Sequence, residues 1–252
     1  MEITTLAAPK RPVYYPETDG LPMAENTRQY EAIVTVKENL ELDFADNPLV
    51  FIAGDLFWYP REGDNKLVFA PDVMVAFGRP KGHRGSYRQW EENGVAPQVV
   101  FEMLSPSNRL AEMTRKFQFY EEFGVEEYYV YRPEDGVWEG WLRRDGRLQE
   151  VENMHDWVSP RLGIRFESEY GSELTLFHPN RDRFLSFLEL NKLRREADAH
   201  AELERRAREQ AQQRAEQAQQ RAECAERELE QQRSLVEKLT AQLRAGGVPP
   251  SA

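Results

Sequence analysis

The chain of 252 residues has very little cysteine, no long hydrophobic run and no surplus of positive charge. Its single cysteine, Cys224, excludes a disulfide within the chain. There is no run of about 18 apolar residues, so we expect no membrane-spanning helix. The N-terminus lacks a charged stretch followed by an apolar one, which argues against a secretory signal. These absences predict a cytoplasmic protein that does not contact a membrane.

The net charge of -11 is concentrated in the first part of the chain. Residues 1–182 contain 20 Lys and Arg against 32 Asp and Glu, a net -12, and residues 183–252 contain 13 against 12, a net +1. An acidic domain is a poor general binder of polyanions. Any contact with nucleic acid would therefore have to be local or assisted by a metal ion.

Hydrophobic periodicity and turn residues predict a mixed α/β (α+β) region followed by a long helix. The predicted helices cover 26–42 and a stretch capped by Ser107 or Asn108 and ended by Gly124. The predicted strands lie within 50–59, 66–77, 98–105, 127–131, 137–142, 148–151, 164–166 and 174–177. Arg144-Asp145-Gly146 is the turn signal of a hairpin. The predicted parts are an N-terminal tail over 1–22, a globular domain over 23–182, a coiled coil over 183–245 and a flexible tail over 246–252.

A seven-residue repeat marks the C-terminal segment, where 211–217, 218–224 and 225–231 read AQQRAEQ, AQQRAEC and AERELEQ. Apolar residues follow an alternating spacing of four and three, interrupted only by Gln232: Ala211, Ala215, Ala218, Ala222, Ala225, Leu229, Val236, Leu239 and Leu243. Such a period is typical of a left-handed coiled coil, so we predict a homo-oligomer, with a dimer favoured. The alternative is a lone solvated helix, because an alanine-rich seam buries little area.

Two acidic residues lie inside otherwise apolar strands. Asp72 follows Ala70-Pro71, and Glu102 follows Val99-Val100-Phe101. An ionised carboxylate in such a strand is costly unless it is paired or binds a metal. If the two strands are neighbours, the alternation of side chains lets both carboxylates converge on one cation. Carboxylate oxygens suit Mg²⁺, which we predict as the cofactor.

Lys116 lies on the inward face of the helix that follows. At about 100° per residue, it projects between Phe123 and Tyr120 within the apolar arc, whereas Arg115 projects away from that arc. A lysine that points at the sheet needs an anionic partner, and Asp72 and Glu102 can supply one.

Several short motifs together resemble the Uma-type (Uma-two) restriction endonucleases, a branch of the PD-(D/E)XK nuclease superfamily. The resemblance covers about residues 17–180. It is carried by Asp19-Gly20-Leu21-Pro22-Met23-Ala24-Glu25, Ala70-Pro71-Asp72-Val73, Glu102-Met103-Leu104-Ser105-Pro106-Ser107, Lys116 with Tyr120, and Gly124-Val125-Glu126-Glu127-Tyr128-Tyr129. It implies a restriction-endonuclease-like core with a mixed sheet, to which antiparallel hairpins are added here.

The resemblance also implies an activity, which is metal-dependent hydrolysis of DNA phosphodiester bonds by an activated water. Asp72, Glu102 and the backbone carbonyl of Met103 would bind Mg²⁺, and Lys116 would orient the water and stabilise negative charge. Leu104 stands where the E-x-K pattern would place lysine, so Lys116 takes that role. The family often has a histidine on its first helix, which this chain lacks, so no role is assigned to Glu25 or Glu31.

The basic stretch after the Asp72 strand could hold the DNA backbone. It contains His83 and four candidate nucleic-acid-binding residues: Arg79, Lys81, Arg84 and Arg88. The alternative for this stretch is a solvated connection.

Less specific explanations exist for the other features as well. Asp72 could be a strand-end cap, Glu102 with Lys116 could be a structural ion pair, and 105–108 reads as a turn rather than a nucleophile. Three hypotheses follow. The favoured one is a Mg²⁺-dependent DNA endonuclease. The others are an inactive nuclease-fold module that binds DNA or protein and self-associates through its coil, and a scaffold protein.

Overall fold

A computed structural model describes residues 13–20 and 22–245 of the chain. The chain divides into two units, Met1–Leu188 and Glu189–Ala252. The elements in chain order are α1 Thr27–Asp43, β1 Val50–Gly54, β2 Trp58–Tyr59, β3 Val73–Phe77, β4 Tyr87–Arg88, β5 Val99–Met103, α2 Leu110–Phe123, β6 Glu127–Arg132, β7 Val137–Arg144, β8 Arg147–Glu150, β9 Arg165–Glu167, β10 Thr175–Phe177 and α3 Phe187–Ala245.

A six-stranded mixed sheet forms the centre of the first unit. Its strand order is β1-β3-β5-β6-β7-β8, in which β5 and β6 are parallel and the other neighbours are antiparallel. The parallel pair is connected through α2, as a crossover between parallel strands requires. The predicted mixed α/β fold with added antiparallel hairpins is therefore what the structure shows.

The core lies on both faces of this sheet. On one face, α1 and the β9–β10 ribbon cover β3 and β5, with Ile33, Val36, Phe101 and Phe166 at most 2 % exposed. On the other face, α2 packs through Phe119 and Tyr120 against the sheet. Strands β3 and β5 are buried on both faces, which explains why they read as nearly continuous apolar runs.

Most turn and cap predictions are confirmed. The structure adds a cap that was not predicted, since Asn26 accepts a hydrogen bond from the Gln29 amide at 2.9 Å at the start of α1. Gly124 ends α2 with a φ of 93°, a left-handed conformation that glycine adopts without steric cost. Asp145 and Gly146 both have positive φ, at 49° and 81°, as a two-residue hairpin turn requires.

Other local predictions are wrong. The N-cap of α2 is Arg109, which makes no side-chain cap hydrogen bond, because the Asn108 side chain accepts from the Ser105 amide instead. The stretch 50–59 is two strands rather than one, separated at Asp55, whose φ is 46°. Short strand β4 lies between the predicted strands 66–77 and 98–105, where no strand was predicted, and it pairs with β2.

The expected N-terminal tail is partly packed. Tyr15 is buried, and its ring lies 5.1 Å from the Tyr59 ring and 5.0 Å from the Trp90 ring, centroid to centroid. The Tyr59 hydroxyl donates a hydrogen bond to the Pro16 carbonyl at 2.7 Å. Aromatic burial therefore holds Tyr15, within the predicted tail, against Tyr59 and Trp90. The rest of the predicted tail, 1–12 and residue 21, and the predicted tail 246–252 lie outside the described residues.

Within the described residues, the second unit is the part of α3 over 189–245. The whole helix has 59 residues and begins at Phe187, four residues after the predicted start of the coiled coil. Within the described residues, no helix is both long and apolar enough to cross a membrane.

Candidate active site

Asp72 and Glu102 face each other across neighbouring strands. The antiparallel register of β3 and β5 pairs Val73 with Phe101, and one step further along the register places Asp72 opposite Glu102. Both side chains are buried, with residue exposures of 9 % and 2 %. The Asp72 carboxylate accepts a hydrogen bond from the Met103 amide at 2.6 Å, which is the strand-end contact that the capping alternative expects. That bond occupies one carboxylate oxygen.

Lys116 reaches this pair from α2. Its Nζ lies 2.7 Å from Oε2 of Glu102, and the two side chains are 12 % and 2 % exposed. The helical period therefore places the side chain as the sequence suggests. The contact is also what a structural ion pair would show, so the catalytic role of Lys116 stays a prediction.

Tyr120 holds the other oxygen of Glu102. Its hydroxyl donates a hydrogen bond to Oε1 at 2.5 Å, and its side chain is fully buried. Tyr120 lies four residues after Lys116, so both project from the same face of α2. Sequence reasoning included Tyr120 only as part of a resemblance and gave it no role. The spacing of four from an inward lysine was the available signal.

Charges at the site are unbalanced. Burial raises the pKa of the Asp72 carboxyl well above its usual range, and the Glu102 charge raises it further, against the opposing effects of Lys116 and the Met103 amide. Burial alone would lower the pKa of the Lys116 ammonium, but the charges of Glu102 and Asp72 outweigh it, so this pKa lies above its ordinary value. Lys116 is therefore a permanent cation at neutral pH. When Asp72 is ionised, one ammonium faces two carboxylates, which leaves room for further positive charge.

Asp55 is a third acidic group near the site that the sequence did not reveal. Its backbone amide donates to the carbonyls of Pro71 and Asp72, both at 3.2 Å, which holds the turn after β1 against the start of β3. Loss of hydration raises the pKa of its carboxyl, as do the charges of Asp19 and Glu102, while Lys116 lowers it. No local motif marks Asp55, because β1 must pair with β3 before Asp55 comes close.

Gln29 of α1 contacts the main chain of the site. Its Nε2 donates a hydrogen bond to the Met103 carbonyl at 2.8 Å, and its Oε1 accepts from the Glu25 amide at 2.9 Å. This is the carbonyl predicted to bind Mg²⁺. A carbonyl oxygen has a second lone pair, so the contact leaves one acceptor direction open. The first helix thus reaches the site through an amide.

Glu25 binds the turn after β5 and not the two carboxylates. It accepts hydrogen bonds from the hydroxyl of Ser105 at 2.6 Å and from that of Ser107, which lower the pKa of its carboxyl. Glu31 is exposed on α1. The segment 105–108 is a turn, as the sequence indicates.

The four candidate nucleic-acid-binding residues all have acidic neighbours. Arg79 and Arg84 share the carboxylate of Glu92, at 2.8 Å and 2.5 Å. Lys81 lies 3.2 Å from Glu41, and Arg88 lies 3.3 Å from Glu91. Their positive charge is largely balanced within the protein, so a role in DNA binding stays a prediction.

The donors at the site fit Mg²⁺. Among residues 13–20 and 22–245, no three His, Cys, Asp or Glu side chains gather in a way that could hold a metal ion. The available donors are the carboxylates of Asp72 and Glu102 and the carbonyl of Met103. Mg²⁺ commonly uses one or two carboxylates, with water and substrate phosphate in the remaining positions. The oxygen-only donor set at the Asp72–Glu102 site is consistent with that preference.

Among the comparisons with known proteins, a family model shows the family of this chain. The family model described as Uma2, putative restriction endonuclease, matches residues 20–175. A comparison with curated proteins finds no match. Among solved structures, one similar chain is the crystal structure of "a putative nuclease belonging to DUF820" from Anabaena variabilis ATCC 29413. It has 12 % sequence identity and a TM-score of 0.41, covering 54 % of this chain and 72 % of that one.

Proposed function

We propose that this chain, which belongs to the Uma2 putative restriction endonuclease family, is a Mg²⁺-dependent DNA endonuclease that hydrolyses phosphodiester bonds. The observation that carries the proposal is the Lys116 ammonium, 2.7 Å from a Glu102 carboxylate that faces Asp72 across two strands. Opposed carboxylates with an adjacent cation suit a reaction in which a phosphate gains negative charge.

Each residue has a separate task in this proposal. Asp72, Glu102 and the Met103 carbonyl hold the Mg²⁺, which when bound polarises the scissile phosphate and makes water a better nucleophile. Lys116 stays protonated, because its pKa is raised. It therefore donates hydrogen bonds to the water or to a phosphate oxygen and does not act as the general base. Tyr120 fixes the orientation of the Glu102 carboxylate.

DNA binding is assigned to Arg79, Lys81, Arg84 and Arg88. Phosphates would have to displace Glu92, Glu41 and Glu91 from these side chains, and the first unit is acidic overall. We therefore expect weak binding that falls steeply with salt concentration.

One observation favours a second candidate function, an inactive nuclease-fold module that binds DNA or protein. The four basic residues are already paired with carboxylates, which favours the protein-binding form of this candidate over the DNA-binding form. The two candidates differ in whether metal-dependent cleavage occurs.

The test is nicking of supercoiled plasmid with Mg²⁺ or with EDTA. The native chain is compared with Asp72→Ala and Lys116→Ala, and Arg115→Ala is the matched control, because Arg115 is the exposed neighbour on the same helix. Cleavage that needs Mg²⁺, survives Arg115→Ala and is lost in the two site variants supports the proposal. Native protein that never nicks the plasmid, or site variants that nick it as fast as the native chain, would refute it.

We also propose that α3 forms a coiled coil with a second copy of the chain. Support comes from the seven-residue repeat and from the exposure of Leu229, Val236, Leu239 and Leu243 on a single helix. The measurement is the solution mass of the full chain by sedimentation equilibrium. A monomer at all concentrations up to about 100 μM, where even weak coils assemble, would contradict it.

A further inference from the structure

One side of α3 presents large apolar side chains to solvent. Leu229, Val236, Leu239 and Leu243 are between 49 % and 61 % exposed. They continue the spacing of four and three that begins at Ala211, with Gln232 as the polar member. In heptad notation, Leu229, Val236 and Leu243 occupy a positions, and Gln232 and Leu239 occupy d positions. We call the series from Ala211 to Leu243, including Gln232, the apolar seam.

We infer that the apolar seam binds a second copy of this chain in a parallel, in-register dimer. The inference rests on the self-association proposed above and adds its direction and alignment. In a parallel dimer, the N-termini of both α3 helices lie at the same end of the coil.

Charge complementarity beside the seam supports the parallel direction. Arg221 and Glu228 lie at g positions, and Glu226 and Arg233 lie at e positions. In a parallel dimer, each g residue faces the e residue five positions later on the other helix. Arg221 then faces Glu226 of the partner subunit, and Glu228 faces Arg233 of the partner subunit. Each contact occurs twice because the dimer is symmetric, which gives four attractive pairs. The four residues that form them make no like-charge pair.

Gln232 supports the register. In an aligned parallel dimer its amide faces the partner's Gln232, so each amide can donate to and accept from the other. A shift of one heptad would instead place it against Ala225 or Leu239 of the partner. A buried amide without a hydrogen-bond partner is destabilising, so one polar seam residue can select one alignment.

An antiparallel dimer is the main competitor. With Leu229 against the partner's Gln232, Glu226 faces the partner's Arg233, but Glu228 faces the partner's Leu235. This arrangement leaves the Gln232 amide against a leucine and keeps two attractive pairs in place of four. The parallel arrangement satisfies both the charges and the amide.

Charge reversal in the full chain separates the two directions, with the dimer dissociation constant measured by sedimentation. Arg233→Glu alone should weaken the dimer about tenfold in either direction, since two exposed pairs become repulsive. Adding Glu228→Arg should restore affinity only in a parallel dimer. Adding Glu226→Arg should restore it only in an antiparallel one, and in a parallel dimer would weaken it further by repulsion with Arg221.

Disulfide trapping gives an independent readout. In a Cys224→Ser background, Val236→Cys should form a disulfide-linked dimer in a glutathione buffer, because identical seam positions are adjacent only in the parallel register. Ala225 lies against the partner's Val236 only in the antiparallel register. A mixture of Ala225→Cys and Val236→Cys chains should therefore give no preference for disulfide-linked dimers that contain one chain of each kind. Preferred mixed dimers, or rescue by Glu226→Arg, would overturn the parallel inference. A monomeric native chain would overturn self-association itself, and neither result bears on nuclease activity.

Discussion

Two ion pairs of similar length lie in the two units and are expected to matter very differently. Lys116 Nζ is 2.7 Å from Glu102, with side chains 12 % and 2 % exposed. Arg206 Nη2 is 2.5 Å from Glu202 on α3, with side chains 64 % and 53 % exposed. Water screens the second pair and stabilises its members when they separate, whereas the first has been removed from water. Burial rather than distance therefore decides which pair the protein depends on.

The largest expected effect comes from breaking the buried pair. Lys116→Ala leaves Glu102 buried without a cation, so we expect a loss of about 3–5 kcal/mol in the free energy of unfolding, measured by urea denaturation. Plasmid nicking should fall by more than about a hundredfold. Because instability alone could lower activity, nicking is measured without urea and at a temperature at which the urea curve shows that Lys116→Ala is folded. A stability change under about 1 kcal/mol would show that solvent already screens the pair.

Tyr120→Phe removes only the second contact to the same carboxylate. A hydrogen bond to a charged group contributes about 1.5–3 kcal/mol, so we expect a loss in that range together with slower nicking. Tyr87→Phe is the matched control, because its buried hydroxyl donates to the uncharged carbonyl of Val95 at 2.8 Å. The control should lose about 1 kcal/mol and keep its nicking rate. Equal nicking by both variants would separate Tyr120 from the chemistry.

Asp72 should make stability depend on pH. Its folded-state pKa is raised, so the folded protein retains a proton that the unfolded chain has already lost. The free energy of unfolding should therefore fall as pH rises from the ordinary carboxyl pKa through the raised one. Asp72→Asn cannot ionise, so this variant should gain stability relative to the native chain over that interval.

Urea denaturation between pH 4 and pH 8 measures this difference. Mg²⁺ should reduce it by stabilising the ionised native site, and should have no such effect on Asp72→Asn. A native-minus-variant difference in the free energy of unfolding that stays flat with pH, or that increases as pH rises, would contradict the raised pKa.

The smallest effect is expected on α3. Arg206→Ala removes an exposed pair spaced four residues apart, which is worth about 0.3–0.5 kcal/mol. Thermal unfolding of the helix, followed by circular dichroism, should barely change. A loss as large as that of Lys116→Ala would mean that this part of α3 is buried in an assembly.

Local patterns were sufficient where the cause of structure is local. The two helices of the first unit, the Gly124 end of α2 and the hairpin turn at Asp145-Gly146 follow from periodicity and positive φ. Lys116 also belongs here, because helical geometry alone orients it inward. The prediction that Ser107 or Asn108 caps α2 is wrong because both side chains have other partners. The Ser107 hydroxyl donates to Glu25, and the Asn108 side chain accepts from the Ser105 amide. Such competition among partners cannot be read from sequence spacing.

The sequence by itself determined most of the helices and strands, which of their faces are apolar, and that two carboxylates and a lysine needed partners. Only the tertiary structure decided that β3 pairs with β5, so that Asp72 meets Glu102, and that Gln29 reaches the Met103 carbonyl across 74 positions. It also decided that Asp55 lies near the site and that Glu92 neutralises Arg79 and Arg84. The reason is physical. Periodicity is a property of one segment, whereas strand pairing and charge compensation depend on which distant segments the packed core brings together.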